Sequence, residues 1–122
     1  MLPVAKLLDK ILTDLKGSGD INGCAVVSRD GLLIASDIPE DTDGGTLAAM
    51  TATIVGTAEA STSELTSGIP NKVIVESSEG KIVIIGAGSN ALLVCTTKVD
   101  AGLGLVILEM ERATEKIKSI II

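Results

Sequence analysis

The stretch 46–65, TLAAMTATIVGTAEASTSEL, constrains this chain more than any other. Thirteen of its twenty residues are Ala, Gly, Ser or Thr, so a charged outer face is missing; Glu59 and Glu64 are its only charges. On a helix, Leu47, Met50, Thr51, Ile54, Ala58, Ser61 and Leu65 recur at spacings of three and four and share one face. Ala49, Ala52, Gly56 and Ser63 fall opposite, where an ordinary surface helix carries Lys and Glu. A glycine inside a helix costs about 1 kcal/mol relative to alanine. A helix that is apolar on one side and small on the other suits double cover, first by its own sheet and then by a second helix approaching closely. That helix belongs either to the same chain, making this a buried helix of a monomer, or to another subunit. The second alternative describes a chain that works by association.

Composition removes several functions outright. At 122 residues the chain reads as one domain over 1–122, with a core covering roughly two-thirds of its unfolded surface. Hydrophobic residues make up 46 %, yet there is no Phe, Tyr or Trp, which removes the stacking platforms of single-strand and RNA modules. A net charge of −6 and a pI near 4.5 oppose phosphate backbones and anionic membranes, so nucleic acid is not an expected partner. The absence of His excludes imidazole metal sites, Ser–His and Cys–His nucleophile pairs and a proton shuttle. Cys24 and Cys95 each sit in an apolar run and read as buried free thiols. No signal peptide directs the chain to an oxidising compartment. The uncharged run 82–97 is interrupted by GAGSN and falls short of the ~20 apolar residues a membrane span needs. A soluble, cytoplasmic protein without membrane insertion is expected.

In chain order, residues 3–16 form an amphipathic helix with Val4, Leu7, Leu8, Ile11, Leu12 and Leu15 as its stripe. GSGDING (17–23) is a turn-rich connector. Strands are expected at 24–28 and 32–36 around Arg29-Asp30-Gly31, since Asp-Gly between apolar runs is a hairpin signal. The acidic loop 37–45 places Asp41 and Asp43 ahead of the central helix, where its dipole favours negative charge. Beyond Asp41-x-Asp43-Gly44 it lacks the remaining oxygen ligands and the twelfth-position Glu of a calcium loop. Strands at 72–77, 81–87 and 91–97 follow, joined by connections short enough only for antiparallel neighbours. A helix over 103–120 closes the chain, with Leu103, Ile107, Met110, Thr114, Ile117 and Ile121 on one face. Five antiparallel strands present two faces. The terminal helices can share one and the central helix can take the other, where a single helix is thin cover unless a second copy completes it.

One motif imitates an enzyme. KIVIIGAGSNA (81–91) matches the dinucleotide fingerprint Gly86-x-Gly88-x-x-Ala91, which works only when a helix begins directly after the glycines. Here LLVCTT follows, a β-forming run, so the glycines read as a hairpin turn. No Walker A sequence is present. Arg29 at a hairpin tip reads either as a solvated turn residue or as a group reaching toward a partner's nucleotide site. Glu109 and Glu111 point in different directions on a helix and make no acid/base dyad. No catalytic constellation, metal site or cofactor is expected.

Taken together, GCAVVSRDGLLIAS (23–36), the acidic loop leading into TLAAMTATIVGTAEAS (46–61) and GSNALLVCTT (88–97) resemble the roadblock/dynein light-chain family, small proteins with a profilin-like fold. The resemblance spans essentially the full chain and is nearest the bacterial and archaeal members that regulate Ras-like GTPases. It implies an α+β fold of order α-β-β-α-β-β-β-α. The five-stranded antiparallel sheet would be ordered second, first, fifth, fourth, third, with the central helix on one face and the terminal helices on the other. It also implies a homodimer in which the third strands, with Lys72, Val73, Ile74 and Val75, and the central helices pair across a two-fold axis. The helix contribution is expected from Ala49, Ala52, Val55, Gly56, Glu59 and Ser63. A partner surface is expected at Arg29, Ala52, Thr53, Gly56 and Ala60. The implied function is that of a non-catalytic homodimeric regulator or scaffold for a Ras-like small GTPase. The alternative is a profilin-like small-ligand sensor, which requires a sizeable apolar cavity.

Overall fold

Three β-hairpins and their register set the frame of the structure, a computed structural model that describes residues 2–121. The elements are α1 (Val4–Lys16), β1 (Ile21–Ser28), β2 (Leu33–Asp37), α2 (Gly44–Leu65), β3 (Lys72–Glu76), β4 (Lys81–Gly86), β5 (Ala91–Thr97) and α3 (Leu103–Ile120). All pairings are antiparallel and the sheet order is β2-β1-β5-β4-β3. Two of the three hairpin turns place glycine at positive φ, Gly31 at 95° and Gly88 at 83°. The glycines of the dinucleotide-like motif therefore close the β4–β5 hairpin, and a strand follows where a cofactor fold needs a helix.

Alternation along the strands sends side chains to opposite faces, and each face carries its own apolar cluster. Cys24, Val26, Val83, Ile85, Leu93 and Cys95 pack beneath Leu8, Leu12 and Leu15 of α1 and Val106, Met110 and Ile117 of α3. On the other face Ala25, Val27, Ile84, Leu92 and Val94 meet Ala48 and Val55 of α2. The fold is thus α+β and profilin-like, with one helix on one face and two on the other. Ile121 packs against the two-helix core; Ile122 lies outside the described residues.

Two expectations need correction. β1 begins at Ile21, inside the Gly- and Asn-rich segment read as a connector, because Ile21 and Gly23 find partners in Thr97 and Thr96 across an irregular register. The buried stripe of α2 is also rotated. Ala48, Thr51 and Val55 are its buried residues, whereas Met50 is 61 % and Leu65 81 % exposed and Ser61 faces outward. With no charged face to mark the solvent side, the helix is phased by which small residues fit closest to the sheet.

The helix start follows the electrostatic rule. Asp43 is the N-cap of α2; its carboxylate accepts hydrogen bonds from the Gly45 N–H at 3.0 Å and the Thr46 hydroxyl at 2.9 Å. The Thr46 hydroxyl and then the backbone amides of Gly45 and Thr46 hold the Asp43 pKa below its ordinary 3.8. A carboxyl whose folded-state pKa is depressed contributes stability that is present above the unfolded value and lost as pH falls through the folded one. An Asp43→Asn chain retains an oxygen acceptor but no charge. It is expected to melt below the wild type at neutral pH, with the difference vanishing in acid; parallel thermal melts along a pH series check this.

Candidate protein interface

β3 and β2 are the two edges of the sheet, and they are not equally guarded. Opposite β2 the register breaks between Val26 and Val27, and Asp37 at its end is tied to Lys16 of α1 at 3.1 Å. A bulge and a charged end both blunt an edge. β3 carries Lys72 and Glu76 at its ends but no bulge, and its pairing with β4 is regular from Lys72–Ile85 to Glu76–Lys81. Ile74 is 40 % and Val75 37 % exposed. Val73 is half-buried against the α2-side cluster, so the α2 face and the open edge are continuous.

α2 packs across its sheet face through Ala48 and Val55. Its first turns sit by the β1–β2 tip, where Gly31 faces Ala48, Ala49 and Ala52, and its later turns reach β3. The same region of the sheet carries a shallow trough of about 270 Å³ that includes Asn22, Val75, Ile82 and Thr96. Outward from α2 point Ala49, Met50, Thr53, Gly56, Thr57, Ala60 and Ser63, all exposed and uncharged. A Cβ built on Gly56 meets nothing within 4 Å, so this position opens directly onto solvent.

Of the helix residues expected at a contact, Ala49, Thr53, Gly56, Ala60 and Ser63 share this outward face. Val55 does not: at 8 % exposure it packs on the sheet and serves the protomer's own core. Ala52 is half-buried beside the Gly31 turn. Met50 was read as core and sits outside; an unbranched apolar side chain amid alanines and threonines gives no signal in either direction.

Arg29 is exposed but not free of partners. Its Nη2 donates to the Gly88 carbonyl at 3.0 Å, and its Nη1 lies 3.6 Å from Oε2 of Glu59. A Cβ on Gly86 would stand 2.9 Å from the same guanidinium. Arg29, on the β1–β2 tip, therefore ties α2 to the β4–β5 tip while its side chain stays partly exposed. Because Arg29 and Glu59 remain partly exposed, Arg29→Ala is expected to lower stability by about 0.5–1 kcal/mol. A double-mutant cycle with Glu59→Ala, read by denaturant melts, measures the share carried by the pair.

Between the brace and β3 lies a cleft of only about 50 Å³, reached by Val55, Ile69, Lys72, Val73 and Leu92. Among the described residues no cluster of three His, Cys, Asp or Glu could hold a metal, and no helix is long and apolar enough to cross a membrane.

Comparison with known proteins places this geometry. The family model described as Roadblock/LC7 domain matches residues 7–97. Uncharacterized protein MJ1340 of Methanocaldococcus jannaschii is 35 % identical over 113 residues, covering 93 % of this chain and 98 % of its own. Uncharacterized protein MJ0310 of the same organism is 34 % identical over 113 residues, with the same coverage of 93 % and 98 %. Among solved structures, an MglB with tetrameric arrangement superposes at a TM-score of 0.90 with 21 % identity, covering 98 % of this chain and 91 % of that one. The gliding protein mglB of Thermus thermophilus gives 0.88 and 21 %, covering 98 % and 92 %. Acanthamoeba castellanii profilin IA gives 0.66 and 13 %, covering 96 % and 98 %, and marks the wider fold.

Proposed function

The chain belongs to the Roadblock/LC7 domain family, and from that premise we propose that it is a non-catalytic homodimeric module that regulates or tethers a Ras-like small GTPase. The observation that carries the association is the continuity of two unguarded surfaces, the open β3 edge and the small, uncharged outer face of α2. Two copies related by a two-fold axis through Ile74 would extend the sheet by antiparallel pairing. That register sets Lys72 of each copy opposite Glu76 of the other, and Val73 opposite Val75, so charges and apolar groups both match. The outer faces of the two α2 helices would then lie side by side, with small residues permitting close approach, and the trough around Val75 and Ile82 would gain cover. A similar structure described as an MglB in a tetrameric arrangement supports association within this fold.

The GTPase reading rests on the family resemblance together with a surface that can bind and has nothing to catalyse with. A ligand sensor would need an enclosed chamber of about 300–1,000 Å³; the cleft beneath α2 holds about 50 Å³, and the roomier space of about 270 Å³ is the open trough around Val75 and Ile82. The test is capture of a Ras-like GTPase from the same cell, loaded with GDP or with a non-hydrolysable GTP analogue. Retention that depends on nucleotide state supports regulation. Equal retention in both states supports tethering, and no retention in either removes the GTPase from the proposal.

A further inference from the structure

The two cysteines, 71 positions apart in sequence, stand directly opposite each other in the β1–β5 pairing at the middle of the sheet. Both side chains belong to the cluster under α1 and α3, both are free thiols, and both are buried. Opposed side chains on one face of an antiparallel pair hold their Cβ atoms roughly 4.5–5.5 Å apart, and a disulfide needs about 3.5–4.5 Å. A local adjustment of about 1 Å therefore joins them without re-registering a strand. The Cys24 thiol donates to the Leu12 carbonyl at 3.4 Å, which makes α1 the cover over the pair.

The two sulfurs are not equivalent. The Cys95 thiol, facing Cys24, favours the Cys24 thiolate and lowers its pKa, with Lys16 adding to this against burial and Asp37. Cys95 is pushed well above the ordinary thiol range by Cys24 and by burial. Cys24 is the sulfur that ionises first, and Cys95 keeps its proton beside it.

We propose that Cys24 and Cys95 form an oxidation site of the folded protein, converted by a peroxide into an intramolecular disulfide that staples β1 to β5. The Cys24 thiolate attacks one peroxide oxygen and the O–O bond breaks. Hydroxide leaves, takes up the proton that Cys24 had released, and Cys24 becomes a sulfenic acid. The Cys95 sulfur then attacks the Cys24 sulfur; the S–O bond breaks and the hydroxyl departs as water with the Cys95 proton. Two thiols and one peroxide give one disulfide and two waters. Hydrogen peroxide is small and uncharged, so partial opening of α1 admits it where bulkier oxidants stay out. Because the second thiol already faces the first, the sulfenic acid is captured before it meets a second peroxide. This site is independent of the GTPase reading and of the oligomeric state.

The experiment exposes the folded chain to stoichiometric hydrogen peroxide well below its melting temperature, then removes the oxidant. The protein is denatured in an alkylating reagent and digested, and the peptides are mapped by mass. The expected result is a cross-linked peptide pair containing Cys24 and Cys95, lighter by two hydrogens, unalkylated, and split by a reductant. Mapping keeps this signal apart from sulfoxide at the exposed Met50. In a Cys95→Ser chain the same treatment, followed by denaturation in dimedone, is expected to show Cys24 as a sulfenic acid that the reagent traps. Full alkylation of both cysteines after peroxide overturns the proposal, as do oxygens added to the cysteine peptides without a cross-link, or a disulfide joining two chains.

Discussion

A Gly56→Trp chain is expected to fold as the wild type does and to lose its self-association. The substitution enters open space, since a Cβ at this position has no neighbour within 4 Å, so nothing inside the protomer resists the indole. Within the helix it is mildly favourable, because glycine is the poorest helix former after proline. Between two helices packed through Ala, Gly, Ser and Thr, however, the indole holds the backbones apart along the whole contact. Small-residue packing allows no local escape, because the neighbours Thr53, Thr57 and Ala60 have no long side chain to move aside. Far-UV circular dichroism should be unchanged while the mass in solution falls to that of one chain. A variant that keeps both its helix content and its association would move the interface away from α2.

A Leu93→Ala chain is expected to lose about 2–5 kcal/mol of stability, the cost of a large-to-small change at a site that cannot collapse. Leu93 is fully buried on β5, the central strand, paired with Val26 on one side and Ile85 on the other. All three face α1 and α3, where Met110 and Ile117 are equally buried, so a strand held on both flanks cannot shift to fill the void. Against a total of roughly 5–15 kcal/mol for a domain, this removes a large fraction of the stability. The control is Leu65→Ala, at the exposed end of α2, which should stay within about 0.5 kcal/mol. Denaturant melts of the three chains at one fixed protein concentration make the comparison. A loss at Leu93 no larger than at Leu65 would contradict the assignment of the two-helix face as the principal core.

The strand and helix order was legible because each element carries a local signal. Asp-Gly and Gly-Ser-Asn mark hairpins, short continuous apolar runs mark the strands, and Leu8, Leu12 and Leu15 mark the face of α1. The phase of α2 was not legible, since alanine and threonine are content on either side and only contact with the sheet selects Ala48 and Val55 over Met50. The start of β1 in a Gly- and Asn-rich segment depends on Thr96 and Thr97, residues far away in sequence. The contacts of Arg29 were hidden for the same reason: Glu59 and Gly88 become its neighbours only when α2 crosses the hairpin tips. The cysteines were correctly read as buried thiols, yet their pairing requires β1 beside β5 in one particular register, and a slip of one residue would have sent them to opposite faces.

Association through α2 and β3 is tested most directly by the mass of the unmodified chain in solution, measured by light scattering at micromolar concentration. A homodimeric module gives twice the 12.4 kDa of one chain. A mass of 12.4 kDa that holds as the concentration is raised would contradict it, and would leave the open β3 edge and the uncharged face of α2 without the partner copy that explains them.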